Sequence, residues 1–245
     1  MAGARCVCAF AGLVVSTTAS AEPITTSFES LVHGEIITNQ FSDVGMSISA
    51  ENFDYAGAKP IAFNSNLLGT ADPDLQGPNW AKGNIAPGTD LGNLIIIPEN
   101  LTDANGDGIV DDPDDEGARP AGDLKFTFSD VMTGFGFDVV DMEGPVREMS
   151  SIEFLLFGSS VATVDFNQFV TPGSDFYDPT VRFGDNSANR IAVMTADALG
   201  ISGFTSVVIH VGGSGAYDNI VVIPAPASGL MLGIGGLAAM RRRRR

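Results

Sequence analysis

The chain has 245 residues, with 13 Lys and Arg against 30 Asp and Glu and a formal net charge of −17. A polyanion repels phosphate backbones and attracts divalent cations, so nucleic acid is excluded as a partner. Its two cysteines, Cys6 and Cys8, both lie in the first ten residues, which leaves the rest of the chain without a thiol nucleophile, a disulfide or a Cys metal ligand.

Residues 1–21 carry one positive charge at Arg5, an apolar stretch over 6–15 and a small-residue exit at Ala19, Ser20 and Ala21. This order reads as a secretory signal cleaved to leave Glu22 first, and both cysteines leave with it. Residues 22–223 then hold seven basic and all 30 acidic residues, a net of −23. Short runs rich in Val, Ile, Leu and Phe nonetheless give this acidic body enough apolar surface to fold, as one domain of about 200 residues.

Its pattern is β throughout. Runs at 25–28, 46–50, 61–63 and 94–97 come first. Residues 124–128 then alternate apolar and polar side chains, and Phe135, Phe137 and Val139 share a face of the next run. Further runs lie at 152–157, 162–166, 181–183, 191–194, 205–211 and 217–223, with Gly, Pro, Asp and Asn clusters between them. Period two marks half-buried strands, and this many short strands predict an all-β, antiparallel two-sheet β-sandwich, jelly-roll-like. Residues 196–199 suggest one turn of helix. Residues 69–90, rich in Gly, Pro and Asp, read as an elaborate loop, and no second domain is evident.

The sharpest chemical signal lies between strands. Asp103, Asn105, Asp107, Asp111 and Asp114 occupy positions 1, 3, 5, 9 and 12 of a loop with Gly108 at position 6 and the Ile109 carbonyl at position 7. That is the spacing of an EF-hand-type calcium loop, in which alternate residues turn oxygen ligands inward. Asp114 stands where a longer bidentate Glu is common, which makes the loop resemble those of dockerin modules, and Pro113 denies it an exit helix. The alternative is a solvated acidic hairpin tip. Asp72 and Asp74, with Asn64 and Asn66 shortly before, form a second candidate set, or equally ordinary turn caps.

A third pair is Glu29, in Ser27-Phe28-Glu29, and Asp218, in Tyr217-Asp218-Asn219-Ile220, at opposite ends of the body. Here the chain resembles secreted jelly-roll modules, several carbohydrate-binding families among them. The resemblance implies that Glu29 and Asp218 meet on adjacent strands around a structural calcium.

Catalysis has little to draw on. His33 and His210 are the only histidines, Ser214 sits in a Gly-Ser-Gly turn without the strand-turn-helix setting of a nucleophile elbow, and Asp141 and Glu143 form one conceivable glycosidase-type pair among thirty acids. Trp80, the only Trp, lies in a loop where it either stacks on a sugar, assisted by Tyr55 and Tyr177, or packs over the sandwich edge.

The chain closes with Pro224, Ala225 and Pro226, an apolar Gly-rich run over 227–240, and Arg241, Arg242, Arg243, Arg244 and Arg245. Fourteen residues of helix span about 21 Å against a hydrocarbon core of about 30 Å, so this is a marginal, transient membrane insertion with its arginines on the cytoplasmic side. Residues 224–245 resemble the PEP-CTERM sorting signal of exported bacterial proteins, departing from it at Ala225, where the motif has Glu. The resemblance implies processing by an exosortase-type membrane protease and an envelope that makes exopolysaccharide. The body also resembles domains that precede such signals, in 72–75, 91–99 and 112–115, which implies no particular activity.

Together these readings predict an exported, non-catalytic protein of the cell surface or extracellular matrix, stabilised by calcium, with an adhesive or structural role. A carbohydrate-binding module for exopolysaccharide is the alternative, and a glycoside hydrolase a more distant one.

Overall fold

A computed structural model describes residues 21–226, and in it the expected β runs become ten strands. They are β1 (Ile24–Thr26), β2 (Met46–Asn52), β3 (Ile61–Asn64), β4 (Asn93–Ile96), β5 (Gly122–Val140), β6 (Ser151–Leu156), β7 (Ser159–Asp165), β8 (Ala188–Thr195), β9 (Phe204–Val211) and β10 (Ala216–Pro224). Every strand pairing is antiparallel.

The 19-residue β5 organises them. Its first half pairs with β2 on one side and β9 on the other, and its second half with β8 and β10. From these, β9 continues to β6 and β7, and β10 to β4 and β3, with β1 on β10 as well. The expected two sheets are therefore one hydrogen-bonded network of ten strands, because the runs 124–128 and 135–139 belong to a single strand.

That strand folds over itself. Nine residues of straight strand cover about 30 Å at 3.3 Å per residue, yet the rings of Phe126 and Phe135 have centroids 5.7 Å apart. The corner falls between Thr127 and Met132, where β5 advances five residues while β9 advances only two, from Ser206 to Phe204. An uneven register of this kind bends a strand and increases its twist. The two halves of the network thereby face each other across one core in a sandwich-like arrangement, with Phe126, Phe135, Phe137, Phe154 and Phe204 buried between them.

The second half of the network is covered on both faces. In β4, Ile95 joins the main core while Leu94 and Ile96 join a second one with Ile61, Phe63 and Val140. Leu75, Trp80, Ile85 and Leu91 complete this second core from the segment between β3 and β4. The stretch read as an elaborate loop is thus a packed outer layer, and it explains why β4 is apolar at consecutive positions rather than alternating.

Two expected elements differ. Residues 181–183 form no strand, and 196–199 form a hydrogen-bonded turn, with the Leu199 N–H on Thr195 O, rather than a helix. The helical turns lie instead at α1 (Pro145–Glu148) and α2 (Asn167–Val170), with a 3-10 turn at Ser42–Val44. Among the described residues no helix is long and apolar enough to cross a membrane. The expected signal peptide (save Ala21), the apolar run 227–240 and Arg241–Arg245 lie outside the described residues. Pro224 ends β10, and the Ala225 N–H donates to Val131 O at 2.8 Å, so the Pro-Ala-Pro motif leaves directly from the corner of β5.

Replacing Phe135, which touches rings from both halves, is expected to cost about 3–5 kcal/mol as Phe135→Ala. The exposed Phe157 should cost under about 0.5 kcal/mol as Phe157→Ala. Urea denaturation of the two variants checks the difference.

Candidate metal centre

Seven cations against thirty acids leave many carboxylates to be accommodated without a basic partner. Two buried carboxylates have such a partner: Glu148, with Arg119 at 3.9 Å, and Asp138. Asp138, on β5, lies opposite Arg190 on β8, and the guanidinium donates to both its oxygens at 2.8 and 2.7 Å. Of the rest, Glu116 accepts from the Asn52 amide, and three groups of acidic residues remain.

The first is the loop that begins at Asp103. The Asp103 carboxylate accepts the N–H groups of Gly106 (2.7 Å), Asp107 (3.1 Å) and Gly108 (2.8 Å), and these donors hold its pKa below the usual carboxylate range. Asn105 accepts from the Asp107 N–H, Asp107 from the Ile109 N–H, and Asp111 from the Ala104 N–H. Gly106 and Gly108 take φ of +74° and +86°, a turn that an L side chain would strain. Residues 103–111 therefore close on themselves through side chain-to-backbone hydrogen bonds, and among the described residues the group of three carboxylates whose oxygens lie within 4.8 Å of one another is found elsewhere. Asp114, assigned as the twelfth position of that loop, is grouped instead with Asp72 and Asp115.

That group is the second place, where one oxygen from each of the three residues lies within 4.8 Å of the others. Asp72 and Asp115 are buried, and Asp114 is half-buried. Burial raises all three, with the Asp72 charge adding to it at Asp114 and Asp115 and the Asp74 charge at Asp72; Asp114 is pushed to about 6 and Asp115 well above its ordinary value, while a hydrogen bond with Asp115 pulls Asp72 the other way. Beside them, the Ser214 hydroxyl lies 2.9 Å from Asp115 and 2.8 Å from Asp141. One hydroxyl proton cannot serve two carboxylates at once, and Asp141, desolvated at the end of β5, is pushed up to about 7. Asp74 stays exposed; its N–H caps Asp72 and its carbonyl accepts from Asn186. The sequence reading had Asp72 and Asp114 in separate sets and missed Asp115; only the Asp-Asp doublet at 114–115 hinted at it.

The third place brings Glu29 and Asp218 together. They line a cavity of about 360 Å³ with Ser27, Asp90, Gly92 and Asn219. Asp218 is 1% exposed and its Oδ1 has no hydrogen-bond partner; burial pushes its pKa up to about 7. The Oδ1 of the neighbouring Asn93 is likewise buried and unpartnered. Glu29 accepts the Asn93 N–H at 3.1 Å, and a Cβ on Gly92, at φ +59°, would collide with the Glu29 carboxylate. Asp90, which the sequence reading did not select, accepts from Gly92 N–H and from the Asn66 amide, so Asn66 serves this cavity and not Asp72.

Trp80 corrects the sugar-stacking expectation. Its ring is 3% exposed and its indole N–H donates to Thr89 O at 2.9 Å, so it packs within the second core and offers no face to a ligand. Tyr55 donates to Pro98 O, and Tyr177 is partly exposed. Ser214 faces two carboxylates and no imidazole; His33 accepts the Asn64 N–H, and His210 pairs with Asp123 at 2.7 Å. Asp141 and Glu143 are divided between different partners, Glu143 being ion-paired with Arg119.

No protein-family model matches the chain, and no curated protein matches it. Among solved structures it is similar to the K2 cleaved adhesin domain of Lys-gingipain, with TM-score 0.37 and 11% identity over 82% of this chain and 99% of that one. It is similar also to the K1 cleaved adhesin domain of Lys-gingipain from Porphyromonas gingivalis W83, with TM-score 0.38 and 11% identity over 83% and 99%. Likeness at this level establishes neither a shared fold nor a shared function.

The raised carboxylates set a pH dependence for the metal-free protein. Asp114, Asp141 and Asp218 titrate near 6, 7 and 7 when folded and near 3.9 when unfolded. The folded state therefore binds more protons between those values, and stability falls as pH rises through 6 to 7. His33, whose pKa burial lowers, acts in the opposite sense but is one group against these three and Glu148, which burial also pushes up to about 7. In a chelator the melting midpoint is expected to rise as pH is lowered from 8 to 5; a midpoint that falls steadily over this range contradicts the assignment.

Proposed function

We propose that this chain is an exported, non-catalytic, calcium-stabilised sandwich protein of jelly-roll type, with an adhesive or structural role at the cell surface or in an exopolysaccharide matrix. In this reading the N-terminal signal directs export, the C-terminal apolar segment inserts transiently, and an exosortase-type protease cuts near Pro224, Ala225 and Pro226. The single observation that carries the calcium part is the cavity lined by Glu29, Asp90 and Asp218, the last of which has a buried carboxylate oxygen with no donor. An ionised oxygen in that position is costly unless a cation or proton neutralises it. The non-catalytic part is supported by the partners of Ser214, His33 and His210, none of which joins a nucleophile to a base.

Calcium binding the folded state alone raises stability by mass action, by about 4 kcal/mol at a thousandfold excess over Kd. The melting midpoint of the mature protein at pH 7.5 is therefore expected to be higher in calcium than in EDTA, with the increment reduced in Asp218→Asn. Equal midpoints in the two buffers would remove calcium from the proposal. Mass spectrometry of the exported protein checks the processing step, which requires loss of Arg241–Arg245 from the mature pool.

The carbohydrate-binding alternative is supported by a different place from the one first expected. A cavity of about 320 Å³ is lined by Phe53, Arg119, Glu148, Met149 and His210, with Phe53 and Met149 exposed at its edge. Apolar faces beside charged donors and acceptors suit a pyranose ring. A glycan array that gives signal with the wild-type chain and loses it with Phe53→Ala would favour this reading.

A further inference from the structure

Deepening the carbohydrate-binding alternative and resting on it, we propose that the cavity lined by Phe53, Arg119 and Arg147 holds a uronate of a polysaccharide chain, its carboxylate on the two guanidinium groups. The neighbouring sugar, uncharged, lies in a second cavity that Phe53 also lines.

The first observation is charge. Residues 22–223 carry a net of −23 and only four arginines, yet two of the four, with one of the two histidines, line this one cavity. Arg119 Nη2 and Arg147 Nη1 approach the same oxygen, Oε2 of Glu143, the second at 3.7 Å. One carboxylate outside the cavity lining thereby holds both guanidinium groups close together. Glu148 stands behind Arg119 at 3.9 Å with its carboxylate out of solvent, and burial pushes its pKa up to about 7, so it cancels the charge only in part. Among the described residues Arg119 makes its hydrogen bond through Nη2, leaving Nε and Nη1 without acceptors, and Arg147 makes none. Guanidinium donors form a planar fork that matches a carboxylate, and here they face an anion that the rest of the body repels.

The second observation is mixed polarity. An anion alone needs only donors, whereas a sugar acid also needs acceptors for its hydroxyls. Asp123 engages His210 through Oδ1 at 2.7 Å and keeps Oδ2 without a donor. His210 Nε2 lies 3.6 Å from Glu153, too far for a good hydrogen bond, and so is open to a ligand. Phe53 and Met149 supply apolar surface for the ring, 49% and 79% exposed. Met149 caps α1 at φ +57°, a left-handed position usually taken by Gly or Asn, and lines the cavity with an apolar side chain instead. An acidic peptide would use the arginines but has little to offer Asp123.

The third is continuity. Phe53 lines a cavity of about 320 Å³ with the arginines and one of about 560 Å³ with Glu51, Asp54 and Tyr55, both within the size of small-ligand sites. Two sites sharing one ring suit consecutive sugars of a chain, and Glu51 and Asp54 would repel a second carboxylate, which makes the neighbour neutral. The surface beneath is fixed. Phe53 N–H donates to Ala121 O, Ala121 N–H to Val211 O, and Gly212 N–H to Ser150 Oγ, which extends the β2–β5–β9 pairing past the strand ends. A Cβ on Gly212 would strike Glu148 O, so this glycine lets α1 and its Met149 cap approach closely.

The test is an array of short oligosaccharides in which each uronate-containing member stands beside its methyl ester, probed with the purified protein and followed by calorimetry on the best pair. Esterification removes the charge and keeps the ring and linkage. The acid is expected to bind about tenfold more tightly than its ester, the scale of one charge-assisted hydrogen bond. Arg147→Gln, whose native side chain is 72% exposed and dispensable for folding, should remove most of that difference without weakening the ester, and Phe53→Ala should weaken both. A uronate beside a neutral sugar should outbind an all-uronate chain of the same length; the reverse order overturns the second cavity's assignment. Acid and ester bound alike, or a difference that survives in both Arg147→Gln and Arg119→Gln, overturns the acidic sugar and leaves the carbohydrate reading standing. Binding unchanged in Phe53→Ala puts the ligand elsewhere and overturns the site. A polyaspartate peptide bound as tightly as the best uronate, with the same loss in Arg147→Gln, replaces the sugar by an acidic peptide. No signal from acidic or neutral glycans removes the carbohydrate reading as well.

Discussion

The structure depends on β5 turning back on itself. A strand that supplies both edges to β2 and β9 over one half, and to β8 and β10 over the other, cannot move without disturbing most of the network. Its corner places Phe126 against Phe135, so the main core is closed by residues of one strand meeting across it. Segments far apart in sequence are brought together as a result: β1 and β10, at the two ends of the body, are paired neighbours. That neighbourhood makes a shared cavity for Glu29 and Asp218 possible.

The same strand delivers charge to places where charge is costly. Asp138 and Asp141 lie at its far end, almost fully buried. Asp138 has Arg190; Asp141 has only a backbone N–H and a serine hydroxyl that it shares with Asp115. With so few cations available, the body cannot neutralise each buried carboxylate by an ion pair. The remaining ways are protonation, which the raised pKa values of Asp114, Asp141 and Asp218 describe, or a metal ion. Protonation depends on pH, so these groups couple stability to the medium around the protein.

Much of the β pattern was legible because alternation has a direct physical cause, the half-buried face of a strand. The corner of β5 was not, since Ser129-Asp130 between two apolar runs looks the same whether it ends a strand or bends one. The outer layer was hidden for a similar reason: Trp80 and Leu75 stand in a stretch dense with Gly, Pro and Asp, and local composition does not say whether a loop lies on water or on a second core. Of the candidate site residues, Asp103, Asn105 and Asp107 could be chosen by spacing because their geometry is local. Glu29 with Asp218 required a resemblance, and the meeting of Asp72 with Asp114 and Asp115 required the fold itself, because no local period connects residues some forty positions apart.

A body without cysteines has no covalent means of fastening long connections, and the two longest here lie between β3 and β4, and between β4 and β5. Constraining such a segment at one point removes conformations chiefly from the unfolded chain, which is how a disulfide stabilises. The carboxylate groups stand where such a constraint would act. Asp72 and Asp90 lie towards the two ends of the first long connection, while Asp114 and Asp115 lie within the second. A cation at either place would do for these loops what a disulfide does elsewhere, with one difference in kind. Its strength would follow the concentration of the cation, as any ligand that binds the folded state alone does.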